Sequence, residues 1–170
     1  SVGSVGFSSN GMLSFPTTMA PHINSSLPNS SYPNTIYPFW DDLLLRSDGV
    51  CTAVIGSSPN RQYIVQWSNA TFPFSVDPTT SLNFEVLLSE GTNTIDVLYG
   101  TMTGDGAQSS GDSATIGIQR DVGTTYDEVS FNTPIPGLAN SGYRWSPRVD
   151  MVCDAMGACV SCVPGASCTL

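Results

Sequence analysis

The chain has 170 residues and a mass of 17.9 kDa, which suits a single domain long enough to bury a real core. Only 11% of its residues are charged, and fourteen acids face five basic residues, all arginine, for a net charge of −9. That balance excludes a nucleic-acid protein, which needs a basic stripe, and a Walker-type phosphate loop, which needs a lysine.

The first residue is Ser1 rather than Met, the expected start of a processed or truncated product. Val5 and Phe7 lead into Ser8-Ser9-Asn10-Gly11 and then Met12-Leu13-Ser14-Phe15. An Asn-Gly pair flanked by apolar residues predicts a hairpin, because both turn positions tolerate positive φ. Residues 16–35 are rich in Pro, Ser, Asn and Thr and read as a long surface loop. Residues 36–40 read as a strand running into Asp41-Asp42, and residues 50–55 as the next strand. The turn at 56–60 returns the chain into 61–68, where Tyr63, Val65 and Trp67 share one face. Such period-two alternation marks a half-buried antiparallel strand. Residues 82–89 repeat it with Phe84, Val86 and Leu88, and Ile95, Val97 and Tyr99 continue it beyond a turn at 90–93. After a Gly/Ser/Asp loop at 101–113, strands are predicted over 114–120, near 128–131 and near 143–145.

No stretch shows helical periodicity, and 12 prolines and 16 glycines punctuate the chain. The expected fold is all-β, an antiparallel β-sandwich with a short cysteine-rich C-terminal segment. We place the sandwich at 1–147 and the tail at 148–170. No run of about eighteen apolar residues is present to span a membrane, and 40% hydrophobic content argues against disorder.

Cys153, Cys159, Cys162 and Cys168 crowd the tail, while Cys51 lies on a predicted strand. Four thiolates at this spacing could hold zinc. The outer gaps are wide for zinc, however, and the lysine-free, Asn/Ser/Thr-rich composition points outside the cell, where thiols become disulfides. An odd cysteine remains, since five cannot all pair within one chain. Cys51 either staples the tail to the sandwich or sits in the core as a small apolar residue.

Asn24, Asn29 and Asn69 each begin an N-x-[S/T] triplet and are glycosylation candidates, although a chain of this composition produces the pattern by chance. Asp41-Asp42, Asp105 and Asp112 offer oxygen ligands without any known calcium-loop spacing, so no metal is assigned. Asp41-Asp42 follows the apolar run Tyr37-Pro38-Phe39-Trp40, so one carboxylate is expected near the core edge, capping backbone N–H groups or pairing with an arginine.

Catalysis finds little footing. With one histidine, His22, no multi-histidine metal site is possible, and a Ser-His-Asp triad would have to use it in a loop without a G-x-S-x-G elbow. Two-carboxylate chemistry has three glutamates to draw on, Glu85, Glu90 and Glu128, and nothing picks out a pair. Exposed aromatics such as Tyr32, Tyr37 or Tyr126 would stack on sugars; packing is their plainer reading. The expectation is no enzyme and no cofactor.

Several segments in series resemble nidogen-like (NIDO) extracellular domains. They are Phe7-Ser8-Ser9-Asn10-Gly11-Met12-Leu13-Ser14-Phe15, Tyr37-Pro38-Phe39-Trp40-Asp41-Asp42-Leu43, residues 60–69 around Gln66-Trp67, residues 82–91 around Phe84, and Ala114-Thr115-Ile116-Gly117-Ile118-Gln119. The resemblance covers roughly residues 4–146 and implies a secreted or cell-surface module without catalytic residues. It makes Trp40, Asp41, Asp42, Trp67 and Gly117 structural: the tryptophans as core, the aspartates as turn caps, and the glycine as a point of close approach. Members of that family carry a further strand or two before the hairpin, so the strand is expected to be cleaved and separate, disordered, or supplied by another copy. The function expected is therefore non-catalytic adhesion or matrix interaction. The alternatives are a filament subunit assembled by strand exchange and a carbohydrate-binding domain. The partners would be extracellular proteins, copies of the chain itself or glycans.

Overall fold

The computed structural model describes residues 4–15, 21–120 and 124–147, and the backbone of 150–153 and 159–162. The chain is built from strands β1 Gly6–Ser8, β2 Met12–Ser14, β3 Thr35–Trp40, β4 Val50–Ile55, β5 Gln62–Ala70, β6 Ser81–Ser89, β7 Ile95–Thr103, β8 Thr115–Gln119, β9 Tyr126–Phe131, β10 Gly142–Trp145, β11 Asp150–Cys153 and β12 Cys159–Cys162. A single 3-10 turn at Gln108–Ser110 is the helical content among the described residues. Two five-stranded antiparallel sheets result, ordered β1-β2-β3-β8-β9 and β10-β7-β6-β5-β4. The all-β expectation holds, and the predicted strands of the body are all present. The tail contributes a separate two-stranded pair, β11-β12, which the sequence reading did not anticipate.

Alternation positions the core. Val65 and Trp67 of β5, Phe84 and Val86 of β6, and Val97 and Tyr99 of β7 point inward and meet Leu13, Ile36, Phe39 and Ile116 from the facing sheet. Trp67 stacks on Phe84 at 5.1 Å, and Phe39 tilts against Phe84 at 5.8 Å. Burying each such ring stabilises the fold by about 1.5–3 kcal/mol before entropy. The polar ends of these rings are satisfied, as buried donors must be. Trp67 Nε1 donates to the Ser8 carbonyl at 2.8 Å, and the Tyr99 hydroxyl donates to the Pro38 carbonyl at 2.6 Å.

The segment 21–34 departs from the expected surface loop. It lies across the outer face of the first sheet and buries a second cluster of Met12, Leu27, Tyr37 and Trp40, with Tyr32 packed on it. This is why all six residues of β3 are buried, on both faces. Trp40 therefore belongs to this outer cluster, while Trp67 lies in the core between the sheets. The cover is held by long-range hydrogen bonds. Trp40 Nε1 donates to the Pro21 carbonyl at 2.9 Å, and the Gln119 side chain brackets Asn29 through its backbone N–H and C=O. Its composition reads as loop because it pairs with no strand, yet it packs as a third layer.

Candidate functional site

The motif Asp41-Asp42 sits where β3 ends. Asp41 is buried, and its Oδ1 accepts the Asp42 N–H at 2.7 Å while Oδ2 accepts the Ser113 hydroxyl at 2.5 Å. It is a cap, as one of the two sequence readings had it, and no arginine reaches it in the described structure. Burial pushes its carboxyl up to about 6, against the opposing pull of those two donors and with a further push from Asp42. Next to it, the Asn10 side chain accepts the Leu43 N–H at 3.1 Å. Gly11 in the same turn leaves no room for a side chain, because a Cβ there would lie 2.0 Å from the Phe39 carbonyl oxygen. The hairpin turn and the Trp-Asp-Asp corner thus form one knot.

Asn24 is woven into the same region. Its Nδ2 donates to the Ser113 carbonyl at 2.8 Å, to Thr115 Oγ1 at 3.1 Å and to Asn132 Oδ1 at 2.8 Å. That nitrogen is the atom a glycan would occupy, so in this fold Asn24 is an anchor for the cover. Asn29 Nδ2 donates to Ser25 Oγ at 2.8 Å, while Asn69 is half-buried with a positive φ of 53° at the bulge of β5. Gly117 meets backbone: a Cβ there would lie 2.4 Å from the Asp127 carbonyl oxygen and 3.0 Å from Leu27.

Cys51 is exposed on β4 and forms no disulfide among the described residues; its exposure corrects the reading of it as a core residue. The physical reason is the topology: β4 is the last strand of its sheet. In the tail, the backbone register sets Cys153 opposite Cys159 and Cys162 opposite Asp150. The side chains of Cys153, Cys159 and Cys162, and the whole of Cys168, lie outside the described residues.

The groups considered for chemistry are dispersed. Glu90 takes a two-pronged hydrogen bond from Arg61, which holds its carboxyl down at about 2. Glu128 accepts the Leu27 N–H, Asp96 is gripped by Arg144, and Asp105 accepts the Thr80 hydroxyl. Glu85 is half-buried on β6, and Asp112 and His22 are exposed. Among the described residues no three His, Cys, Asp or Glu side chains gather to hold a metal ion. Of the aromatics proposed to stack on sugars, Tyr37 is buried and Tyr32 packs edge-on against Trp40, leaving Tyr126 exposed. Tyr126 and Trp145 border an open cleft of about 610 Å³. An apolar cavity of about 340 Å³, lined by Phe15, Ile36, Ile95 and Ile118, opens between the sheets beside Arg120.

A family model described as NIDO related matches residues 1–144. The chain belongs to the NIDO-related family. No curated protein and no solved structure matches it. In this NIDO-related domain the residues that carry the resemblance are the ones that build the knot and the two cores: Asn10-Gly11, Trp40-Asp41, Trp67, Phe84 and Gly117. Sequence reasoning missed Ser113 and Asn132, which lie 72 and 108 residues from the groups they bind, and no local pattern marks them. It also missed the exposure of β4, whose apolar sequence resembles that of an interior strand.

Proposed function

We propose that this NIDO-related domain is a non-catalytic extracellular module for adhesion or matrix interaction. The observation that carries the reading is the family match over residues 1–144. Four of the carboxylates serve structure: Asp41 as a cap, Glu90 and Asp96 on arginines, Glu128 on the cover. No helix of the described structure is long and apolar enough to cross a membrane. The test is a solid-phase binding assay of the purified chain against a panel of matrix proteins, run beside a glycan array. Saturable binding to a matrix protein without sugar binding is the expected result. Binding to sugars alone would favour the carbohydrate-binding alternative, and binding to neither overturns the adhesion reading.

A second reading, self-assembly through sheet edges, is favoured by one observation. Strand β4 presents six exposed or half-exposed residues without a charge, and it ends its sheet.

A further inference from the structure

Sheet edges are the places where a β-protein offers unpaired N–H and C=O groups, and proteins guard them with charge, proline, bulges or brevity. Three of the four edges of the two five-stranded sheets are guarded. β1 has three residues. β9 carries Asp127 and Glu128 and is tied to the cover through Leu27. β10 has four residues, with Arg144 clamped on Asp96. β4 is the exception. It runs Val-Cys-Thr-Ala-Val-Ile, pairs with β5 without a register shift, and contains no charge and no proline.

Beyond the half-buried Val50, which packs against the core, its side chains are exposed on both faces. Val50, Thr52 and Val54 stand opposite Trp67, Val65 and Tyr63, so they point to the core side of the sheet. The facing sheet ends at β1, where Phe7 touches the edge of Trp67 at 6.5 Å and is itself 43% exposed. Val54 is left 62% exposed and Ile55, on the other face, 48%.

We propose that β4 is a self-association edge, where a second copy of this chain adds its own β4 antiparallel to form a continuous ten-stranded sheet. This develops the self-assembly reading above and does not depend on matrix adhesion. Three observations select a second copy as the occupant. First, the edge is neutral, so two chains of net charge −9 can meet there without a like-charge contact along the strand. Second, it is self-complementary. A two-fold axis normal to the sheet keeps core-side faces together, so each residue meets one of its own parity. Centred on Thr52, it sets Val50 of each copy against Val54 of the other, a pairing of β-branched side chains that strands favour.

Third, the ends carry complementary charge. Asp48 lies in the turn before β4 and Arg61 follows the turn after it, so antiparallel pairing brings the Asp48 end of one copy to the Arg61 end of the other. The Arg61 side chain is 52% exposed and binds Glu90 through Nε and Nη2, leaving Nη1 outside that fork. Asp48 is exposed. One Asp48–Arg61 pair is thereby brought to each end of the paired strands.

The test is sedimentation of the full chain over a wide concentration range, beside the single variants Val54→Lys, Asp48→Arg and Arg61→Asp and the double swap. Wild type is expected to dimerise. Val54→Lys, a change at an exposed site, is expected to stay folded by circular dichroism and to sediment as a monomer. Each single charge reversal is expected to weaken the dimer about tenfold, the scale of two rim ion pairs, and the double swap to recover most of it. Amide exchange on wild type gives a readout without variants, in which residues 50–55 gain protection as concentration rises. A wild type that stays monomeric, a Val54→Lys chain that dimerises like wild type, a swap that recovers nothing, or unchanged protection at 50–55 each overturns the proposal. So does a dimer lost on Cys51→Ser, which would be a thiol cross-link. None of these outcomes touches the matrix-binding assay, so failure of one reading is separable from failure of the other.

Discussion

Asp41 sits where an ionised carboxylate is costly, and its two donors offset only part of the burial. Its folded-state value of about 6 lies above the ordinary 3.8, so the folded chain holds the proton more tightly than the unfolded one. The stability it contributes is therefore complete below about pH 4 and is lost as pH rises through 6. Between pH 5 and 7.5 this group should cost about 1 kcal/mol, allowing for partial solvent screening. Urea melts at the two pH values should show the loss in wild type and little of it in Asp41→Asn, which keeps an acceptor for the Asp42 N–H; equal losses in both would refute the assignment. Trp67 is the other residue with a sharp consequence. It is fully buried, stacked on Phe84 and bonded to Ser8, so Trp67→Ala should cost about 3–5 kcal/mol in a thermal or chemical melt. A variant as stable as wild type would contradict the packing. The burial of Trp67 was legible in the alternation Tyr63, Val65, Trp67. The raised carboxyl of Asp41 was not, because it is the outcome of burial in the folded chain set against the opposing pull of Ser113, 72 residues away.

At the scale of elements, the decisive features are the 21–34 cover and the β8–β9 contact. Asn24 spends one amide on three acceptors, so Asn24→Ala should destabilise the fold by about 1–3 kcal/mol, taking this donor from the Ser113 carbonyl and Asn132 Oδ1. The measurement belongs in protein from a host that adds no glycans, where a residue serving only as a glycan acceptor would show no change. Gly117 is the point where β9 bulges toward β8. A methyl group there would meet the Asp127 carbonyl at 2.4 Å, so Gly117→Ala should cost about 1–3 kcal/mol as the strands part. A neutral result would mean the bulge relaxes freely. A glycine inside a predicted strand signalled such an approach. The cover gave no such signal, because prolines and short polar residues describe any segment outside a ladder, whether it is solvated or packed.

Across the whole molecule, the core draws side chains from both sheets, while Trp40 belongs to the separate cluster beneath the cover. Because β3 contributes to both clusters, the body should unfold as one unit, with tryptophan fluorescence and far-UV circular dichroism following the same denaturation curve. A separate early fluorescence change, absent in Trp40→Phe, would show the cover opening on its own. The sequence by itself determined the strand content, the hairpin at Asn10-Gly11, the inward faces of β5, β6 and β7 and the family, because alternation and turn chemistry are local properties. Only the tertiary structure decided which strands end the sheets, that a polar segment becomes a third layer, and that Asn24, Ser113 and Asp41 meet. Those outcomes rest on contacts between residues far apart in the chain. The same apolar hexapeptide Val50–Ile55 would be core in the middle of a sheet and is a docking edge at its end.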